Sequence, residues 1–160
     1  MFKIGDYIAH PMHGAGVIES IVTKKINGAQ RDYYVLKLPV GDMVVMVPVS
    51  GCEDIGVRSI ISRSEAEKLF SAFSEIEISM TQNWNKRYRE NMDKIKSGNL
   101  LDVASVVKGL MCRDSERGLS TGERKMLHSA KQILISELVI ATNMDYDGVE
   151  KRLCAALEER

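Results

Sequence analysis

The chain has 160 residues, 22 Lys and Arg against 22 Asp and Glu, and a composition that is 44% hydrophobic and 28% charged. That is the balance of a folded protein with room for one ordinary domain or two small ones, and it excludes a disordered or fibrous chain. No apolar run approaches the length of a membrane span and the N-terminus, MFKIGDYIAH, lacks the apolar stretch of a secretory signal, so a cytoplasmic protein without a membrane partner is expected.

Up to about residue 60 the pattern is that of strands. A first strand is expected around Asp6 to Ala9, followed by the compact loop HPMHGAG. Val17, Ile18, Ile21 and Val22 then lead to Asn27-Gly28, the dipeptide best suited to the positive φ angles of a tight hairpin turn. RDYYVLKL supplies the returning strand, PVGD turns the chain again, and MVVMVPV supplies the next run. So short a sheet of four or five strands must curl to bury an apolar face. Its edge near Met43 to Val47 has either to be covered or to pair with another chain.

Past residue 60 the period becomes helical. SRSEAEKLFSAFSE offers a Ser cap, with Ala66, Leu69, Phe70 and Phe73 at helical spacing. A second helix is expected from about Asn83 to Lys96, stopping at Ser97-Gly98, and a third from about Asn99 to Cys112. The fourth opens at STGE, where Ser120 and Glu123 fit a capping box, and continues through Leu138; the fifth runs from about Tyr146 to Glu159. The expected fold class is therefore α+β: a small curled sheet over residues 1–58 and a bundle of about five helices over residues 59–160, with a short hinge near Gly56 to Ser62.

The residues offer little to catalysis. His10 and His13 share a loop without a third ligand at a recognisable spacing, and Cys52, Cys112 and Cys154 are far apart and form no C-x-x-C pair. No nucleophile elbow, zinc-protease motif or phosphate loop is present. A protein that is not an enzyme, needs no metal or cofactor and works as a monomer is expected.

Charge is unevenly distributed. Residues 84–131 carry eleven basic and six acidic side chains, an excess balanced by the flanks. The only tryptophan, Trp84, opens that segment beside Lys86, Arg87 and Arg89. On a helical wheel starting at Trp84, Ile95, Tyr88 and Met92 fall at about 20°, 40° and 80°, so all four share one stripe. One reading makes Trp84 the top of a core stripe. The other lets a first-turn ring project beyond the bundle, next to a helix N-terminus where Lys86 and Arg87 cost about 0.3–1 kcal/mol each and would suit phosphates.

The sequence resembles the CarD/CdnL family of bacterial RNA polymerase-binding transcription regulators over nearly its whole length. The resemblance is carried, in order, by FKIGDYI-x-HP-x-HGAGVI, NGAQRDYYVLKL, NWNKRYRENMDKIKSG and RDSERGLSTGERKMLHSAKQIL. It implies a Tudor-like (SH3-like) N-terminal domain that binds the β subunit of RNA polymerase, and a helical domain that meets promoter DNA at the upstream fork of the transcription bubble. By the same resemblance Trp84 wedges into the minor groove, and Lys86, Arg87 and Arg89 hold phosphates. The polymerase contact falls on Lys24 and Lys25 with Val44, Val45, Met46 and Val47. Some relatives carry an arginine at the position of Met46, so a salt bridge there does not carry over. A protein-interaction adaptor without direct DNA contact is the alternative, and it makes Trp84 a core residue.

Overall fold

A computed structural model of the chain describes residues 1–39, 43–78 and 80–158. The turn expected at PVGD includes residues 40–42, and the end expected for the fifth helix is Glu159; these lie outside the described residues. Five strands form one antiparallel sheet in the order β4-β3-β2-β1-β5, with β1 Tyr7–His10, β2 Gly14–Ile26, β3 Ala29–Lys37, β4 Val44–Pro48 and β5 Arg58–Ser59. Five helices follow: α1 Arg63–Glu75, α2 Trp84–Lys96, α3 Leu100–Arg117, α4 Thr121–Thr142 and α5 Tyr146–Glu158. The fold is α+β, a sheet followed by helices.

The β2–β3 hairpin closes where the Asn-Gly pair stands. Asn27 (φ 52°) and Gly28 (φ 82°) both take left-handed backbone between the paired Ile26 and Ala29. That conformation matches the right-handed twist of the flanking strands, and few other dipeptides adopt it cheaply. A register shift between Ile18 and Ser20 bends β2, so the strand leaves the sheet's core and continues with β3 as an exposed two-stranded arm. Directly opposed residues share a face. Ile18, Leu36 and Val45 therefore form one inner row and Tyr34 and Val47 another, while Ile21, opposite Tyr34, is left exposed. Ile8, Cys52 and Val57 complete this small core, and Phe2 closes it edge-on to Tyr34 at 6.0 Å.

The helices bury a larger core. Phe73, Val106, Val107, Leu110, Leu134 and Leu138 are fully enclosed, each worth about 1.5–3 kcal/mol of transfer free energy. Local chemistry sets most of the boundaries. Ser62 and Glu65 cap α1 reciprocally, Asn83 and Asn99 cap α2 and α3, and Asn143 ends α4 in the left-handed region at φ 59°. Helix α3 runs five residues past the expected Cys112, to Arg117. The polar turn Asp114–Arg117 carries no apolar period but contains no breaker, so the helix continues until Gly118 turns it at φ 77°. Buried Lys108 donates to the carbonyls of Ser74 and Ile76, holding the end of α1 against α3.

The sheet meets the bundle along α4. At the β1–β2 turn Ala15 N–H donates to Ser136 Oγ at 2.9 Å, and Gly14 (φ 95°) lies so close that a Cβ there would overlap the same hydroxyl. Among the described residues no helix is long and apolar enough to cross a membrane.

Candidate nucleic-acid interface

Helix α2 begins at Trp84, with Asn83 Oδ1 accepting the Lys86 N–H at 3.0 Å. Its inward face is Arg87, Asn91 and Ile95, at successive four-residue steps, with Tyr88 and Met92 half-buried beside them. Trp84 stands one turn before Arg87 on this side, but at the helix end, where nothing covers it completely. Its residue is 42% exposed, which sets it apart from the core that the adaptor reading requires.

The ring is nonetheless held. It stacks on Tyr88 with centroids 5.1 Å apart and planes at 19°, and its Nε1 donates to Ser120 Oγ at 3.1 Å. Gly122, in the first turn of α4, lies against the indole: a Cβ there would stand 3.4 Å from the ring. Ser120 is also the N-cap of α4, accepting the Glu123 N–H at 3.2 Å. Its hydroxyl donates to Glu123 Oε1 at 3.4 Å. The side of the expected capping box that belongs to Glu123 is redirected, because its carboxylate is committed to a buried pair.

That pair corrects one expectation. Arg87 is 2% exposed, and its guanidinium donates to Glu123 through Nε at 2.9 Å and Nη2 at 3.3 Å. Nη1 donates to the carbonyls of Thr81 and Gln82, each at 3.1 Å. Arg87 is thus buried and engaged inside the fold and is not available to a phosphate; it ties α2 to α4 one turn from Trp84. The physical reason is Glu123, a carboxylate that α4 carries inward and that needs a charged partner there, which Arg87 supplies through two hydrogen bonds. Burial alone would push the Glu123 carboxyl up. The hydrogen bond and charge of Arg87, with the charge of Arg113 and the Ser120 hydroxyl, outweigh it and hold the group below the usual carboxylate range.

Exposed cations include Lys86 and Arg89 in the first two turns of α2, Lys94 and Lys96 in its last turn, and Arg117, Arg124 and Lys125 at the corner of α3 and α4. Lys125 lies one turn beyond Gly122, within about 60° of it around the axis, and so on the side of α4 that meets the indole. Sequence reading missed Tyr88 as a stacking platform, Ser120 as the indole acceptor and Lys125 as a neighbour, since the last two lie some forty residues away on another helix.

On the sheet, β4 is an edge strand, and the residues expected to touch polymerase divide by period two. Lys24, Val44 and Met46 share the outer face, where Val44 is 53% and Met46 37% exposed, while Lys25 lies on the inner side of the exposed arm. Val45 is half-buried and Val47, 1% exposed, is part of the sheet's core, so the Val47 side chain cannot form an external contact. Among the described residues no group of His, Cys, Asp and Glu converges as metal ligands would.

Comparison with known proteins fits both halves. Residues 2–61 match the CarD-like/TRCF RID domain, and residues 68–154 match the CarD, C-terminal domain. The chain belongs to the CarD family. It is also 38% identical over 140 residues to "Putative transcription factor YdeB" of Bacillus subtilis (strain 168), covering 88% of this chain and 92% of that protein. Membership of the CarD family gives the chain a role in transcription regulation.

Proposed function

We propose that this CarD-family regulator docks on the β subunit of RNA polymerase through its sheet and stabilises the open promoter complex by wedging Trp84 into DNA at the upstream fork of the bubble. The observation that carries this reading is the state of Trp84: a half-exposed indole, already oriented by Tyr88 and Ser120, in the first turn of a helix whose outer side carries exposed Lys86 and Arg89.

A ligand shifts an equilibrium only through its differential affinity for the two states. An apolar wedge finds a slot where a base step is unstacked, which favours the melted complex over the closed one. Base–aromatic contacts are commonly worth about 1–3 kcal/mol, enough to slow bubble collapse roughly five- to 150-fold. Lys86, Arg89 and Lys125 add a modest, salt-sensitive attraction to phosphates. Tethering through polymerase raises the local concentration at which so weak a contact acts.

For the tether, the match to the RID domain, a fold associated with RNA polymerase interaction, supports the partner. The edge of β4 supplies unpaired main-chain groups, and Val44 and Met46 supply apolar contact on the outer face. Lys24, on the same face farther along the arm, adds charge. Capture of the β subunit by the full chain tests the division of labour. Met46→Glu, which places a charge on the apolar outer face, is expected to abolish capture while Trp84→Ala leaves it intact. The reverse pattern would overturn the assignment.

A further inference from the structure

We propose that helix α4 is a strut that fixes Trp84 relative to the sheet, with Glu123 and Glu137 as the positioning residues at its two ends. This rests on the reading above, in which the sheet docks on polymerase and Trp84 meets DNA.

Helix α4 has 22 residues, and its two buried acids lie 14 positions apart, a separation of about 21 Å along the axis and close to four full turns. They therefore point to nearly the same side. Glu123 and Glu137 are 2% and 1% exposed, and each is gripped by an arginine fork. At the first end Arg87 belongs to α2, one turn from Trp84. At the second Arg58 belongs to edge strand β5 and donates to Glu137 through Nη1 at 2.7 Å and Nη2 at 3.0 Å. Glu137 Oε2 also accepts the Ile61 N–H at 2.8 Å, which ties down the connection between sheet and helices.

Arg58 has a second reach. Its Nε lies 3.5 Å from the carbonyl of Gly98, just past the C-terminal end of α2. Helix α2 is thus pinned near Trp84 by Glu123 and at its far end by the residue that clasps Glu137. On its inner side the clasp is closely packed, the space between Ala9, Pro11, Gly14, Ile95 and Ile133 amounting to about 10 Å³, whereas on its outer side Arg58 and Gly98 border an open cleft of about 560 Å³.

Apolar side chains of the same volume would stabilise such a seam as well as buried ion pairs do. What a two-bond fork adds is direction, because it fixes the angle as well as the separation of its partners. Two forks on one rigid helix set the sheet and the indole in one frame. A wedge held in that frame reaches the fork at the high effective concentration that a matched, stiff tether provides.

The test uses the full chain, with Arg58→Ala to open the clasp and Gly14→Ala to push the β1–β2 turn off α4 without touching an ion pair. If one variant fails to fold, the other serves. Amide residual dipolar couplings are expected to fit one alignment tensor in the wild type and to need separate tensors for sheet and helices in the variants. Affinity for the β subunit should stay within about twofold, while the gain in open-complex lifetime falls by about fivefold or more. A single tensor in the variants, or two tensors with the lifetime gain intact, overturns the strut. Trp84→Ala is measured alongside. If it leaves the lifetime gain unchanged the wedge reading itself fails, whereas loss in Trp84→Ala with retention in a two-tensor Arg58→Ala condemns the strut alone.

Discussion

The indole Nε1 of Trp84 donates to Ser120 Oγ at 3.1 Å, and the same hydroxyl caps helix α4. The ring is therefore oriented in the free protein, and the DNA contact proposed for it need not order a free side chain. Ser120→Ala removes both the cap and the indole acceptor. It is expected to lower stability by about 1 kcal/mol in urea unfolding and to make Trp84 more accessible to aqueous quenchers. Ser120→Thr, which keeps the hydroxyl, should restore both.

The basic residues beside Trp84 divide into two kinds. Arg87→Ala leaves Glu123 buried without its main partner and is expected to cost about 3–5 kcal/mol. Lys86→Ala and Arg89→Ala change exposed side chains and should leave stability within about 0.5 kcal/mol. Each should instead reduce the salt slope of DNA binding by about one. Chemical denaturation of all three, paired with a salt titration, checks the division. Wild-type stability in Arg87→Ala would contradict it.

Stability should also carry the signature of the Arg87–Glu123 pair in its pH dependence. A carboxyl held lower in the folded chain binds fewer protons there than in the unfolded chain. Its stabilisation is therefore complete above the ordinary value of 4.5 and is lost as the pH falls through the lower folded value. Glu123→Gln is expected to be less stable at neutral pH and to show a flatter decline below about pH 4.5. Unfolding curves across the acid range measure the slope; an unchanged slope would mean that the pair does not titrate as described.

Much of the fold was legible because it is written locally. Asn27-Gly28 dictates its own turn, and Ser62, Asn83, Asn99 and Ser120 each mark a helix start through a side chain that caps the next turn. The position of Trp84 in a first turn was equally visible, and with it the chance of an exposed ring. The fate of Arg87 was not. A helical wheel ranks residues by polarity, and it puts an arginine on the wet side unless a partner is known. Here the partner, Glu123, lies 36 residues away. The Arg58–Glu137 clasp joins residues 79 positions apart and leaves no trace in local pattern. The sheet shows the same limit: the run of β4 was read correctly, but which of Val44 to Val47 face outward depends on the register with β3.

Half-lives of promoter open complexes, followed after competitor challenge with purified polymerase, test the central claim most directly. The account predicts that wild-type protein lengthens the half-life and that Trp84→Ala, although it still binds the β subunit, loses most of that effect. A Trp84→Ala protein that slows bubble collapse as well as the wild type would contradict it.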